Sequence, residues 1–273
     1  MGRPASQAET AFTAGVIDRL ARRDRRTLAQ WITRIENGEQ ITSVLQALPA
    51  PADGAVILGI TGSAGVGKST LVAALIEHWR AAGKTVAVLA CDPQSPLSGG
   101  SLLGDRIRTR FEPGDEGVYF RSLSTRGAPG GLSQAVGPAS ELLTRCGFDR
   151  VVVETVGVGQ DEVAVRAVAE VVALLVAPGM GDEVQWQKAG LIEVVDLIVV
   201  NKADLPGAEA LAAELRETLG IGDAAAQEVI QVSATSRVGV AAFVDRVEHL
   251  ASDLPTLQGR AARRTRSAEN DAR

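Results

Sequence analysis

The spacing of apolar and polar positions divides the chain into a helical opening, a long alternation of strands and helices, and a polar tail. Between residues 12 and 37, Ile17, Leu20, Leu28, Ile32 and Ile35 recur at helical intervals, while Arg22, Arg23, Arg25 and Arg26 fall on the exposed side. This predicts an amphipathic helical stretch with one buried stripe and a solvated basic face. Pro49, Pro51 and Gly54 then interrupt the pattern and mark a linker. Short apolar runs follow, predicting strands at Val56–Thr61, Thr85–Ala90, Val118–Arg121, Arg150–Glu154, Val171–Ala177, Leu197–Val200 and Val229–Val232. Their apolarity is nearly continuous, as in parallel strands covered on both faces. Helical patterns fill Ser69–Ala82, Leu132–Cys146, Glu183–Val194, Glu209–Leu219 and Val240–Ser252. The alternation predicts an α/β fold with a mainly parallel central sheet flanked by helices. The expected organisation is a helical extension and linker over 1–53, one α/β domain over 54–255, and a disordered basic and polar tail over 256–273.

Composition narrows the function. Of the 273 residues 45% are hydrophobic but only 3% aromatic, so Val, Leu, Ile and Ala must build the core. A net charge of −5 with few aromatics excludes a broad nucleic-acid surface. No apolar run approaches the roughly 18 residues of a membrane span, and the N-terminus lacks the apolar stretch of a signal peptide. A cytoplasmic protein with no membrane partner is expected. Cys91 and Cys146 lie far apart and read as buried, reduced thiols, and His78 and His249 form no local metal motif.

The first chemistry-bearing segment is Gly62-Ser63-Ala64-Gly65-Val66-Gly67-Lys68-Ser69, a complete GxxxxGK[ST] pattern between an apolar strand and the helix opened by Ser69 and Thr70. Glycines let consecutive backbone N–H groups turn inward around a β-phosphate, and the helix N-terminus adds its positive end. Lys68 is positioned to reach the β- and γ-oxygens, and the Ser69 hydroxyl to ligate Mg²⁺. The fold is therefore expected to be that of a P-loop NTPase.

The second segment selects the base. Asn201-Lys202-Ala203-Asp204 follows an apolar strand and matches NKxD. A carboxylate at Asp204 accepts from guanine N1–H and the 2-amino group together, whereas adenine offers no donor at N1. An unpaired buried acceptor disfavours adenine by up to roughly 10⁴-fold. Asn201 orients the loop and Lys202 lays its aliphatic stem over the base. Ser233-Ala234-Thr235, after the last strand, matches the loop whose backbone N–H meets guanine O6. GTP or GDP with Mg²⁺ is the expected ligand set, and GTP hydrolysis the expected reaction.

Further stretches carry a family resemblance: Asp92-Pro93 followed by Ser98 to Asp105; Glu154-Thr155-Val156-Gly157-Val158-Gly159-Gln160; and Pro178 to Gln185 continuing through Lys188 to the NKxD motif. With the P-loop and the helix around Arg25 to Glu36, they resemble the MeaB/ArgK/MMAA GTPases, chaperones of the SIMIBI class that serve adenosylcobalamin-dependent acyl-CoA mutases. The likeness runs from about residue 18 to 250. It implies that Glu154 takes the Walker B place and that Ser69, Asp92, Asp105 and Glu154 form the metal set, not all of them in one nucleotide state. It also implies γ-phosphate sensing at Gly157, a second switch over Gly157 to Glu162, and a third containing Asp182, Gln185 and Lys188. Lys68 and Glu154 are the expected catalytic residues, and Arg108 or Lys188 the cations that complete the site when a mutase partner binds. Asp-Pro-Gln-Ser-Pro-Leu at 92–97 departs from the family's usual wording. The helical C-terminal arm used in family dimers is not legible, which leaves homodimerisation open.

There are three rival readings. The first, a kinase of amino-acid transport proteins, has no dedicated acceptor site in the sequence and an NKxD motif that opposes ATP as donor. A nickel-insertion GTPase shares the nucleotide motifs but usually carries His- or Cys-rich sites. A nucleotide-gated adaptor with little hydrolysis fits the absence of an obvious water-positioning base, Gln160 being the nearest candidate.

Overall fold

A computed structural model describes residues 7–92, 115–124, 131–155, 165–180, 195–219 and 228–253, with backbone only at 7–13, 92, 124, 131–133 and 219. Seven strands among them form one parallel sheet: β1 Val56–Gly62, β2 Val86–Asp92, β3 Val118–Ser124, β4 Arg150–Glu154, β5 Val171–Val176, β6 Leu197–Asn201 and β7 Glu228–Val232. Their order is β3-β2-β4-β1-β5-β6-β7, so β1 lies in the middle between β4 and β5. The α/β expectation holds. β2 and β3 run further than the hydrophobic pattern predicts, because Cys91 and Asp92 continue the ladder opposite Leu123 and Ser124.

Alternation within each strand supplies two cores. Ile57, Ala87, Leu89, Val151 and Val153 point to one face, where they share a buried cluster with Leu20, Leu28, Ile32 and Val44 of the N-terminal helices. Leu58, Ile60, Val86, Val88 and Val152 point to the other, against Leu71, Leu75 and Trp79. Both sets are buried, which is why the strand sequences read as unbroken apolar runs. Cys91 and Cys146 are free and buried, and burial pushes the Cys146 thiol up to about 12.

The helical opening differs from the expected single stretch. It forms α1 Gln7–Ala21 and α2 Arg25–Glu36, followed by a short α3 Thr42–Ala47 that apolar spacing did not announce. The break comes from local chemistry: Arg23 takes a positive φ of 60°, and the Asp24 side chain caps α2 by accepting from the Thr27 backbone N–H at 2.8 Å. Thr27 bonds hold the Asp24 carboxyl below its ordinary value. The arginine run is partly engaged: Arg25 donates to the carbonyls of Asp115 and Val118, and Arg23 lies over the Phe148 ring.

α4 Lys68–Ala81 follows β1 directly; α5 Gly131–Arg145, α6 Ala208–Leu219 and α7 Val240–Ser252 complete the helical layers among the described residues. The predicted helix Glu183–Val194 and the tail 256–273 lie outside them.

Candidate nucleotide site

The carboxyl ends of β1, β4, β6 and β7 lie on one edge of the sheet, where ligands bind in open α/β folds. β1 leads through residues 62–67 into α4, and backbone freedom is needed there. Gly62 has φ 141°, and a Cβ on it would collide with the Leu175 carbonyl of the neighbouring strand. Gly67 is left-handed at φ 98°, and a Cβ there would collide with Asn201 Nδ2. Glycine at 67 thus lets the phosphate loop and the NKxD loop touch.

That contact is the centre of the site. Asn201, 1% exposed, donates from Nδ2 to the Val66 carbonyl at 2.8 Å, and its Oδ1 accepts from the Ala234 N–H at 3.2 Å. One buried amide therefore joins the turn after β1, the end of β6 and the loop after β7. Lys202 adopts a positive φ of 57°, and Ala203 N–H donates to the Val232 carbonyl at 3.1 Å, locking the NKxD turn onto β7. Asp204 stands exposed beyond the turn and accepts from Ser233 Oγ at 2.5 Å. That bond, followed by one from its own backbone N–H, holds the Asp204 carboxyl below the ordinary carboxylate range. Ser233 and Ala234 are buried and Thr235 is exposed.

At the phosphate end, Val66 is buried while Ala64 and Gly65 are exposed. Lys68 is buried and donates from Nζ to the carbonyls of Gly62 and Ser63 at 2.6 and 2.9 Å, which keeps its ammonium folded over the loop. Ser69 Oγ donates to Glu154 Oε1 at 2.7 Å, and Thr70 lies half-buried next to it. Glu154 is fully buried at the end of β4, level with Ile60 of β1 and Ala90 of β2. A hydroxyl and a carboxylate side by side at a helix N-terminus are hard oxygen donors, the kind Mg²⁺ takes. Asp92 ends β2 on the same edge, two residues beyond the level of Glu154; only its backbone is described. Asp105, Arg108, Gly157 and Lys188, with the other switch positions Asp182 and Gln185, lie outside the described residues.

The structure adds two residues that no motif named. Arg237, just past the 233–235 loop, pairs with Glu77 of α4 and donates to the Ala234 carbonyl. Neither position belongs to a recognisable pattern, and only the fold brings them together.

Comparison with known proteins identifies relatives of the chain. Residues 28–272 match the family described as methylmalonyl Co-A mutase-associated GTPase MeaB. A Pyrococcus abyssi protein named as a GTPase is 42% identical over 240 residues, covering 85% of this chain and 74% of that one. The GTPase ArgK of Escherichia coli is 41% identical over 202 residues, 71% of this chain and 60% of the relative. A fused isobutyryl-CoA mutase of Cupriavidus metallidurans is 36% identical over 205 residues, 73% of this chain but 19% of its own length. Among solved structures, a LAO/AO transport system kinase superposes with a TM-score of 0.68 at 26% identity, covering 99% of this chain and 86% of that one.

Proposed function

Since the chain belongs to the MeaB family of GTPases, we propose that it binds guanine nucleotide with Mg²⁺ and hydrolyses GTP slowly on its own. On the same reading, its nucleotide state gates cofactor loading and protection of an adenosylcobalamin-dependent acyl-CoA mutase. The observation that carries the nucleotide half is the Asn201 bridge, which ties a phosphate loop to both loops expected to read the base.

In this reading each residue has a definite task. Backbone N–H groups of residues 63–69 surround the β-phosphate at the N-terminus of α4. Lys68 turns its ammonium from the loop carbonyls to the β- and γ-oxygens, and Ser69 and Glu154 would hold the metal, with Asp92 and Asp105 as further candidate ligands. Mg²⁺, when bound, neutralises charge on those oxygens. Asp204 accepts from N1–H and the 2-amino group, Lys202 covers the base, and a backbone N–H of the 233–235 loop faces O6. Gly157 senses the γ-phosphate.

The mutase half is supported by the family description and by the fused isobutyryl-CoA mutase. A domain of this kind within a mutase polypeptide is what a dedicated partnership predicts. Gating requires only that the partner bind the GTP and GDP forms with different affinity. Arg108 or Lys188 would complete the site on partner binding; in GTPases generally one supplied arginine accelerates turnover by roughly 10³ to 10⁵. The test is turnover with and without the cognate mutase, for wild type and for Asp182→Ala, Gln185→Ala and Lys188→Ala. Acceleration by the mutase that the variants lose supports the reading. An unchanged rate, with no binding of mutase in the presence of a GTP analogue, ends the chaperone assignment and leaves the nucleotide assignment standing.

A further inference from the structure

The loop expected to read the guanine edge is held from two sides. From inside, Asn201 Oδ1 accepts the Ala234 N–H. From outside, a turn closed by the Ser233–Val238 bridge brings Arg237 back over the loop, and Ser233 N–H donates to the Val238 carbonyl at 2.9 Å. The Arg237 guanidinium divides its donors. Nε and Nη2 grip both carboxylate oxygens of Glu77 at 2.6–2.8 Å, and Nη1 takes the Ala234 carbonyl. Glu77 belongs to α4, the helix that begins at Lys68.

Stability alone does not account for this arrangement. The pair is half-exposed, with side-chain exposures of 38% for Arg237 and 47% for Glu77, and such pairs add little to folding. Arg237 also sits at a φ of 66°, a left-handed conformation that disfavours every residue but glycine and, more weakly, asparagine and aspartate. An arginine at a position better suited to glycine carries a backbone cost that its side-chain contacts to Glu77 and Ala234 offset. A planar guanidinium that binds a carboxylate through one edge and a carbonyl through the other fixes direction. Because the peptide is planar, fixing the Ala234 carbonyl fixes the plane of the Ala234–Thr235 peptide and so the direction of its N–H.

We infer that Arg237, anchored on Glu77, is a specificity-determining positioning residue that holds the Thr235 backbone N–H, on the peptide whose Ala234 carbonyl it grips, toward the 6-oxo group of a bound guanine. The inference rests on the proposed guanine reading. It adds a mechanical link: the loop facing O6 is fastened to the helix that starts at the phosphate loop, so base edge and phosphates are read in one frame.

The experiment measures affinities of the full chain for GDP, 6-thio-GDP, IDP and ADP by titration calorimetry, for wild type, Arg237→Gly and Glu77→Ala. Glycine suits the positive φ, so Arg237→Gly removes the guanidinium while relaxing the turn. The expected result is a loss of roughly tenfold in GDP affinity, the worth of one well-aimed hydrogen bond. The GDP over 6-thio-GDP preference, which reads the contact at position 6, shrinks toward parity in Arg237→Gly and shrinks less in Glu77→Ala. The GDP over IDP preference, which reads Asp204 and the 2-amino group, keeps its wild-type value. Unchanged GDP affinity overturns the inference. So does a parallel fall of both preferences, which would indicate a merely loosened loop. A wild-type protein that binds ADP as well as GDP overturns the guanine reading itself, and is recognised without any variant.

Discussion

The two ends of the sheet use the same kinds of side chain in opposite ways. At the amino ends of the strands, carboxylates accept from backbone N–H groups: Glu170 from Ile57 at 2.6 Å, Asp149 from Thr85 at 2.7 Å, and Asp196 from Val172 at 2.8 Å. Those donors belong to the frame and cannot turn away. At the carboxyl ends, Asp204 and Glu154 accept from the hydroxyls of Ser233 and Ser69, and Lys68 donates to two loop carbonyls. A hydroxyl rotor and a flexible ammonium can exchange partners without moving the backbone. One end is therefore built to stay, and the other, on the proposed reading, to exchange contacts with a ligand.

That contrast is broken most sharply by Asp204→Asn. The variant should lose guanine over xanthine discrimination and invert it, gaining xanthosine nucleotides, because an amide can donate where the carboxylate only accepts. The shift should reach roughly 10⁴-fold, the scale set by mismatched hydrogen-bonding groups in a polar site. Competition between labelled GDP and XDP measures it, and a variant that still prefers GDP would remove Asp204 from the base. Lys68→Ala comes next. GTP turnover should fall by about 10² to 10³, the usual consequence of removing a fixed group that stabilises transition-state charge. Single-turnover rates decide it, and wild-type turnover from the variant would mean the activity is a contaminant's.

Glu170→Gln tests the opposite end. It weakens the acceptor for the Ile57 N–H inside the sheet and should lower unfolding stability by about 1 to 3 kcal/mol. GDP affinity per folded molecule should match wild type. Urea unfolding and calorimetry, run on the same preparation, check both halves. An affinity loss that tracks the stability loss would show that the two ends are not separable.

Sequence made the exchanging end legible and left the holding end largely unread, for a physical reason. Gly62, Gly67, Lys68, Ser69, Asn201 and Asp204 announce themselves because the GxxxxGK[ST] and NKxD patterns fix particular residues at short spacings. Glu170, Asp149 and Asp196 accept from N–H groups 113, 64 and 24 residues distant in the chain, and a lone acid between apolar runs looks like an ordinary loop residue. The strands were readable from their unbroken apolarity. The split between α1 and α2 was not, because Leu20 and Leu28 stand a helical interval apart across Arg22, Arg23 and Asp24, while a side-chain cap at Asp24 starts a new helix. Arg237 and Glu77 stand 160 residues apart and needed the fold to meet.

The smallest expected effect concerns pH. The Ser233 hydroxyl holds the Asp204 carboxyl below its ordinary value of 3.8, so its anionic, acceptor-only form persists throughout the neutral range. A depressed carboxyl contributes what it can above its ordinary pKa and loses it only as pH falls through the lower folded value. The GDP over IDP preference should therefore be flat between about pH 6 and 8, where only histidine among unperturbed side chains changes charge. Ser233→Ala should leave that plateau in place, because the carboxylate stays ionised there without the hydroxyl. Its trace appears in acid: without the Ser233 bond, Asp204 protonates at higher pH, and the acid fall of the preference moves up the pH axis. At the holding end, burial pushes the Asp149 carboxyl up, but bonds from Thr85 together with the charges of Lys84 and Arg150 bring it below its ordinary value, so acid acts on the frame as well. Circular dichroism recorded at each pH separates the two, because the fold signal in Ser233→Ala should follow wild type while the preference does not. A preference that titrates near neutrality would mean that a group other than Asp204 reads the base.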